Sequence, residues 1–439
     1  MTGRLYLRDG KAKVSVSPAP KEPPIRDRPF DPWRSAKSPS AKAIVADIIN
    51  ELEHYEEHKG LRQRRRKATD QKTFELMIEA IVCDAMYCTL ASPDRAIMTP
   101  MSKEKLSRAN RYRAPALNKT FPEALKRLAS KELSFLRLKE GYRGAFGPGR
   151  RTTCTAGWRL LKLMRESEIT LGDLRQRKGR EIIVLKGAKE GRLGSKQTIA
   201  YAETPATIRL RSDLEMINTW LDEAELNFDE GLETKHPVDI DDRSMRRMFN
   251  NGAFNQGGRL FGGFWQGLKK EERASGLLID DEEVVTIDYR QMSARTLYGL
   301  CGATPPADCY AVPGYEIHRE GWKKLWNAAL FNGPVFSRMP ANTRPLFPNG
   351  LAISDALKLL LKFHKPVATK IVPDLGFSLQ YVESNILVEV LLSLMSKGVV
   401  ALPVHDAVIV KASDADVTET AMVNIFKKHT GLIGQVSRE

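Results

Sequence analysis

The sequence has no long apolar run, no C-x-x-C pair and no secretory leader, and each absence narrows the field. No stretch of its 439 residues approaches the roughly 18 apolar residues of a membrane span, which argues against an integral membrane protein. The five cysteines, Cys83, Cys88, Cys154, Cys301 and Cys309, lack metal-ligand spacing. That argues against a structural zinc site and a disulfide framework, and it fits a reducing compartment. No apolar h-region follows the start, and prolines with Asp9, Glu22, Asp27 and Asp31 argue against a mitochondrial presequence. A cytoplasmic location is the resulting expectation.

Basic charge is what the chain has in excess. Sixty-nine Lys and Arg against 54 Asp and Glu leave a net +15, with a pI near 9.5. Such an excess predicts a polyanionic partner, nucleic acid before a membrane surface. Hydrophobic residues at 42% and charged residues at 28% are ordinary for a globular chain, and the length allows two or three domains.

Residues 1–40 read as an unstructured basic tail, because Lys11 to Ser40 is rich in Pro, Ser, Lys and Arg with little apolar periodicity. Residues 41–232 read as a mostly helical, DNA-binding or thumb-like region. Ile44, Ile48, Leu52 and Tyr55 mark an amphipathic helix over Ala41–His58, and Phe74–Leu90 reads as a buried one. The basic run Lys59, Arg62, Arg64, Arg65, Arg66 and Lys67 between them is either a solvated linker or a phosphate contact. From Lys103 to Leu163 the pattern suggests a winged-helix-like module: helical stretches around Glu123–Leu138, then Arg143, Arg150 and Arg151 beside the β-prone Thr152–Thr155. Glu181–Leu185 reads as a strand and Arg211–Leu226 as a helix. Asp213 and Glu215 have the spacing of a proofreading-exonuclease metal motif, but their helical setting makes them surface charge.

Residues 233–439 carry the chemistry. Val284, Val285 and Ile287 form a β-prone run ending at Asp288, and a helical pattern through Met292, Leu297 and Leu300 follows. A carboxylate at that junction suits a metal held against a phosphate, although a lone Asp there is commonly a helix cap. VVALPVHDAVIV, from Val399 to Val410, reads as a hairpin with His405-Asp406 at its tip. Two such carboxylates on adjacent strands suit two-metal phosphoryl transfer. Between them Glu316 to Gly333 reads as a helix whose Arg319 and Lys323, four residues apart, share one face and can reach one triphosphate.

In this order the segments resemble the polymerase core of family A DNA polymerases, over roughly Arg243 to Glu439. The family's first motif reads D-Y-S-Q-I-E-x-R, and here stand Asp288, Tyr289, Arg290, Gln291, Met292, Ser293, Ala294 and Arg295. Its fingers helix reads R-x3-K-x7-Y-G, matched by Arg319, Lys323 and Phe331, and its last motif H-D-E is matched by His405, Asp406 and Ala407. Gly258-Arg259-Leu260 resembles the G-R-L upstream, and the segment from Leu379 resembles the helix whose Gln touches the minor groove.

The resemblance implies an α+β right-hand polymerase: a palm with an antiparallel sheet and short helical fingers, preceded by the helical N-terminal region. It implies that Asp288 and Asp406 hold two Mg²⁺ ions, or Mn²⁺ in their place, with the Tyr289 carbonyl completing a metal shell. Arg319 and Lys323 would grip a nucleoside triphosphate, Lys323 as proton donor to the leaving pyrophosphate, and Phe331 would close over the base. Gln291 and Ser293 would complete the nucleotide site. Arg259, Arg295, His405 and Gln380 or Glu383 would position a DNA primer–template. Three departures matter. Ser293 stands where the family has the Glu that blocks a ribonucleotide 2′-hydroxyl, which predicts relaxed sugar discrimination. Asn327 replaces a bulky aromatic, and Ala407 replaces the Glu of H-D-E. With no proofreading domain apparent, the chain resembles compact phage or mobile-element polymerases. Two rivals remain: a single-subunit RNA polymerase or primase, and a DNA-binding replication factor whose polymerase half has decayed.

Overall fold

The computed structural model describes residues 27–108, 110–142, 149–189, 191, 196–229, 231–234 and 236–439. Arg143 and residues 1–26 of the expected tail lie outside them. The chain is mixed α+β and gathers its buried apolar side chains into three cores.

The first core is built on the helices Pro39–His58 and Ala68–Ala91. Ser38 caps the former through its hydroxyl, with Pro39 in the first turn, and Ile44, Ile48 and Leu52 face inward as their spacing requires. The expected tail is ordered from residue 27 onward. Arg28–Pro29 pairs in parallel with Ile97–Met98, and Arg34–Ala36 pairs antiparallel with Leu174–Gln176. Charge adds to apolar burial in holding this segment, where Trp33 and Ala36 are buried and Phe30 packs on Phe121. Arg28 meets the fully buried Asp84 at 2.7 Å, and Arg34 lies 3.4 Å over the Tyr87 ring and 3.1 Å from Asp239. A helix is absent from the second half of the expected Glu123–Leu138 stretch. The helix is Phe121–Leu128, the chain turns through Ser134 at φ 49°, and Leu136–Lys139 is a strand paired antiparallel with Thr153–Ala156. A basic hairpin with Arg150 and Arg151 therefore stands beside short helices, its tip outside the described residues.

The second core takes Ile182, Ile183, Leu185, Leu214, Ile217, Leu221 and Leu226, from the stretch that sequence placed in the N-terminal region, together with the C-terminal half, while Tyr112 bonds to Leu185 and Ile199 and Arg111 to Tyr201. Ile183–Leu185 lies parallel to Met245–Asn250, which pairs antiparallel with Ala253–Gly262. The helix Pro205–Glu223 carries Asp213 and Glu215 as read, with Thr204 capping it. The main sheet is antiparallel and runs in the order Leu402–Val404, Ala407–Lys411, Glu282–Tyr289, Leu277–Ile279, Leu226–Phe228, with Val436–Arg438 also on the Glu282–Tyr289 strand. The helix Leu375–Met395 packs against the strand Ala253–Gly262. It is long and apolar enough to cross a membrane by composition, which the sequence reading did not register. It is a core helix instead: Ile386, Val390, Leu391 and Leu394 are buried in the second core. The third core surrounds the helix Arg319–Asn332, with Trp322 and Trp326 fully buried.

Candidate active site

Strand alternation sets the first carboxylate. Ile287 and Tyr289 turn into the core, where the Tyr289 hydroxyl donates to the Met422 carbonyl at 2.7 Å, so Asp288 between them faces the other way. Chain reversal at a two-residue turn sets the second. Val404 pairs with Ala407, leaving His405, at φ 59°, and Asp406 as the tip. Trp265 Nε1 and Gln266 Nε2 both donate to the Pro403 carbonyl, at 3.0 and 2.8 Å, and fix the hairpin to the sheet. Because Ala407 is in register with Asp288, Asp406 stands one residue away from it on the neighbouring strand.

Both aspartates line one cavity of about 540 Å³. The same wall holds Arg319 and Lys323 from the helix Arg319–Asn332 and Phe331 near its end. Gln291 and Ser293 line it from the turn after Asp288, Arg259 from the Ala253–Gly262 strand, and Gln380 and Glu383 from the long helix. Eleven of the thirteen residues singled out from sequence thus meet in one place. Tyr289 takes part through its backbone, its side chain being committed to the core. Arg295 and His405 are not in the lining. Arg295 is buried with a donor to the Ala307 carbonyl at 3.3 Å, and His405 sits exposed on the hairpin turn beside Phe261.

Two close approaches shape the cavity. Gly376 lies under Phe331, where any Cβ would meet the ring at 2.7 Å. Phe331 also packs edge-on against Phe377, with centroids 4.9 Å apart. Gly258, at φ 83°, lets its strand touch the long helix, a Cβ there meeting the Ser384 hydroxyl at 2.7 Å. That contact puts Arg259 on Glu383, at 2.6 Å.

The electrostatics are those of crowded carboxylates. Burial pushes the Asp288 carboxyl up to about 7, with Asp406 and Glu439 adding to the shift and Lys323 opposing it. Burial likewise pushes Glu383 up to about 7, against the pull of Arg259. Because the folded-state value of Asp288 lies above the ordinary 3.8, ionisation of Asp288 costs the folded state stability. The cost is absent below about pH 4, grows as pH rises and is complete above about pH 7. Asp288→Asn is therefore expected to raise Tm in EDTA at pH 8 and to leave it little changed at pH 4. A Tm difference independent of pH would contradict this account.

Sequence reasoning gave no role to several cavity residues, four of which bear on the charge or shape of the site. Tyr310 comes from a loop between the motifs, Arg290 from the turn, and Gly376 from the start of the long helix. Glu439 is brought in by the pairing of Ile287 with Arg438, and its side chain meets Lys270 at 2.7 Å. No local pattern marks Tyr310 or Glu439, whereas Arg290 stands inside the first motif and Gly376 is a small residue at a helix start. Among the described residues no three His, Cys, Asp or Glu side chains form a metal-holding group. The two aspartates still fit Mg²⁺, which takes oxygen from one or two carboxylates and completes its shell with water and substrate phosphates.

No family model matches the chain. No curated protein matches it either. Its structure is distantly similar to a DNA polymerase domain. That domain is the POL domain of Pol1 from M. smegmatis, solved in complex with DNA primer-template and dNTP, at 10% identity and a TM-score of 0.30. The match covers 92% of this chain and 66% of that one, so the chain spans just under two thirds of its neighbour's length. A likeness at that TM-score carries no functional assignment, which rests on the cavity.

Proposed function

We propose that the chain is a template-directed nucleotidyltransferase, a DNA polymerase of family A type that extends a primer 3′-hydroxyl. One observation carries the reading: an aspartate near the end of one strand and an aspartate at the tip of the adjoining hairpin share a cavity with an Arg and a Lys one helical turn apart. Asp288 and Asp406, with the Tyr289 carbonyl, would hold Mg²⁺. Bound there, Mg²⁺ supplies a lowered pKa for the attacking hydroxyl and charge stabilisation at the transferring phosphoryl group.

The chain's own residues do the rest. Arg319 and Lys323 lie on the cavity face of one helix, placing a guanidinium and an ammonium against a triphosphate. Arg319 is held at 2.6 Å by Asp308, a carboxylate with which a triphosphate would have to compete for it. Lys323 stands close enough to act electrostatically on Asp288, and from there its ammonium can hand a proton to departing pyrophosphate. Phe331, backed by Gly376 and Phe377, offers a flat apolar face for a base. Arg259, oriented by Glu383, and Gln380 one turn away border the end of the cavity where a primer terminus would enter.

Removal of the proton donor is expected to lower kcat by about 10²-fold in Lys323→Ala. Single-turnover extension should show the loss in the chemical step. A change in KM alone would assign Lys323 to binding.

The deciding experiment is extension of a labelled primer on a template with Mg²⁺ and dNTPs. A ladder of products that follows the template sequence supports the reading. Tight DNA binding without extension would favour the decayed-polymerase alternative.

A further inference from the structure

Ser293 by itself leaves the nucleotide cavity open beside the sugar. The fold fills that opening from elsewhere. Tyr310 is 3% exposed and lines the cavity, and its phenol neighbours the Ser293 side chain on the same wall. The loop that delivers it is held by motif residues. Gln291 Oε1 accepts from the Cys309 amide at 2.8 Å, and Arg295 donates to the Ala307 carbonyl at 3.3 Å. Asp308 then accepts from the Tyr310 amide at 2.8 Å and from Arg319 Nε at 2.6 Å. The Arg319 guanidinium lies 5.3 Å from the Tyr310 ring centroid. This gives Arg295, absent from the cavity wall, a positioning role behind it.

The location of the ring fixes what it meets. A triphosphate on Arg319 and Lys323 reacts at its α-phosphate, which must lie by Asp288 and Asp406. The sugar is bonded to that phosphate, so it occupies the space between the aspartates and the base platform at Phe331. Tyr310 touches both Ser293 and Arg319 on that stretch of wall. Its ring is buried there, and the loop that carries it is held at the Tyr310 amide by Asp308.

We propose that Tyr310 is the specificity-determining residue for the sugar, its fixed ring occupying the space a 2′-hydroxyl would need, so that the site selects deoxyribonucleotides despite Ser293. The inference rests on the nucleotidyltransferase reading. A wall of this kind rejects an added hydroxyl by about 10²-fold, because the hydroxyl must either displace the ring or be buried unpaired.

The test compares kcat/KM for matched dNTP and rNTP in the full chain, for wild type, Tyr310→Ala, Tyr310→Phe and Ser293→Ala. Wild type is expected to prefer dNTP by about 10²-fold or more, and Tyr310→Ala to bring the ratio below about tenfold. Tyr310→Phe and Ser293→Ala keep the ring and each lose only a hydroxyl, so both should stay within a few-fold of wild type. The ratio is the readout, so a general loss of rate in a variant does not disturb it. A wild-type preference below tenfold, or a ratio that Tyr310→Ala leaves unchanged, overturns the proposal. If wild type extends no primer, the nucleotidyltransferase reading fails separately. Equilibrium binding of dATP and ATP with Mg²⁺ then reads the same preference, and equal affinities in wild type overturn the sugar assignment.

Discussion

Asp406→Asn is expected to abolish templated extension, lowering kcat by about 10⁴-fold, or roughly 5 kcal/mol in the barrier, while the protein stays folded. Asn keeps the size of Asp and an acceptor oxygen but removes the charge that would hold a divalent cation at the hairpin tip. The hairpin does not depend on that carboxylate. It is held by the pairing of Val404 with Ala407, by the donors of Trp265 and Gln266 to Pro403, and by the buried strand Ala407–Lys411. Tm in EDTA should therefore change little or rise, since one of the charges that crowd Asp288 is gone. The paired measurements separate two causes of inactivity. Lost extension with retained Tm and retained DNA binding places Asp406 in the chemistry, whereas lost extension with a collapsed Tm makes it structural. Extension within tenfold of wild type would remove the central support for the proposed function.

Asp406 was legible in the sequence because its surroundings are local. Apolar runs on both sides of His405-Asp406 can only be two strands and a turn, and Pro313-Gly314 and Gly333-Pro334 bracket the helix that carries Arg319 and Lys323. Asp288 was legible for the same reason, at a junction where the apolar period changes from strand to helix. Tyr310 and Glu439 were not, since one reaches the cavity through hydrogen bonds from Gln291 and Asp308 and the other through strand pairing with a segment far away in the chain. Neither mode leaves a period or a spacing. Residues 27–40 show the same limit from the other side. A Pro- and charge-rich composition looks unstructured when order is judged by apolar pattern, yet Arg28 and Arg34 are fixed by carboxylates from Asp84 and Asp239. Misreading Leu136–Lys139 as helix followed from apolar residues that suit either period, with the left-handed turn at Ser134 deciding between them.

The basic run after the first helix raises the second large effect, which concerns stability. Its Arg62 and Arg66 are not solvated: both turn inward to Glu56, whose side chain is 1% exposed, and Arg127 from the helix Phe121–Leu128 joins them there. Arg66 also pairs with Glu53 at 3.0 Å and lies 3.6 Å over the Phe74 ring. One buried carboxylate thus ties the first helix, the basic loop and a third element together. Glu56→Ala leaves partly buried guanidinium groups facing each other without their common anion, a change that costs about 3 kcal/mol. For a unit of this size the expected fall in Tm is ~6–12 °C. Glu56→Gln keeps the acceptor but not the charge and should fall between, while Arg64→Ala, on an exposed side chain with no acidic partner among the described residues, should leave Tm within about 1 °C. The division of labour has a consequence for binding. Arg62 and Arg66 hold the loop in place, whereas Arg64, Arg65 and Lys67 remain exposed as free positive charge. Loss of Glu56 should therefore weaken DNA binding indirectly, by releasing the loop, even though it makes the protein more positive. Tighter DNA binding in Glu56→Ala at an unchanged Tm would show that net charge, rather than the fixed arrangement of the loop, governs the proposed contact with DNA.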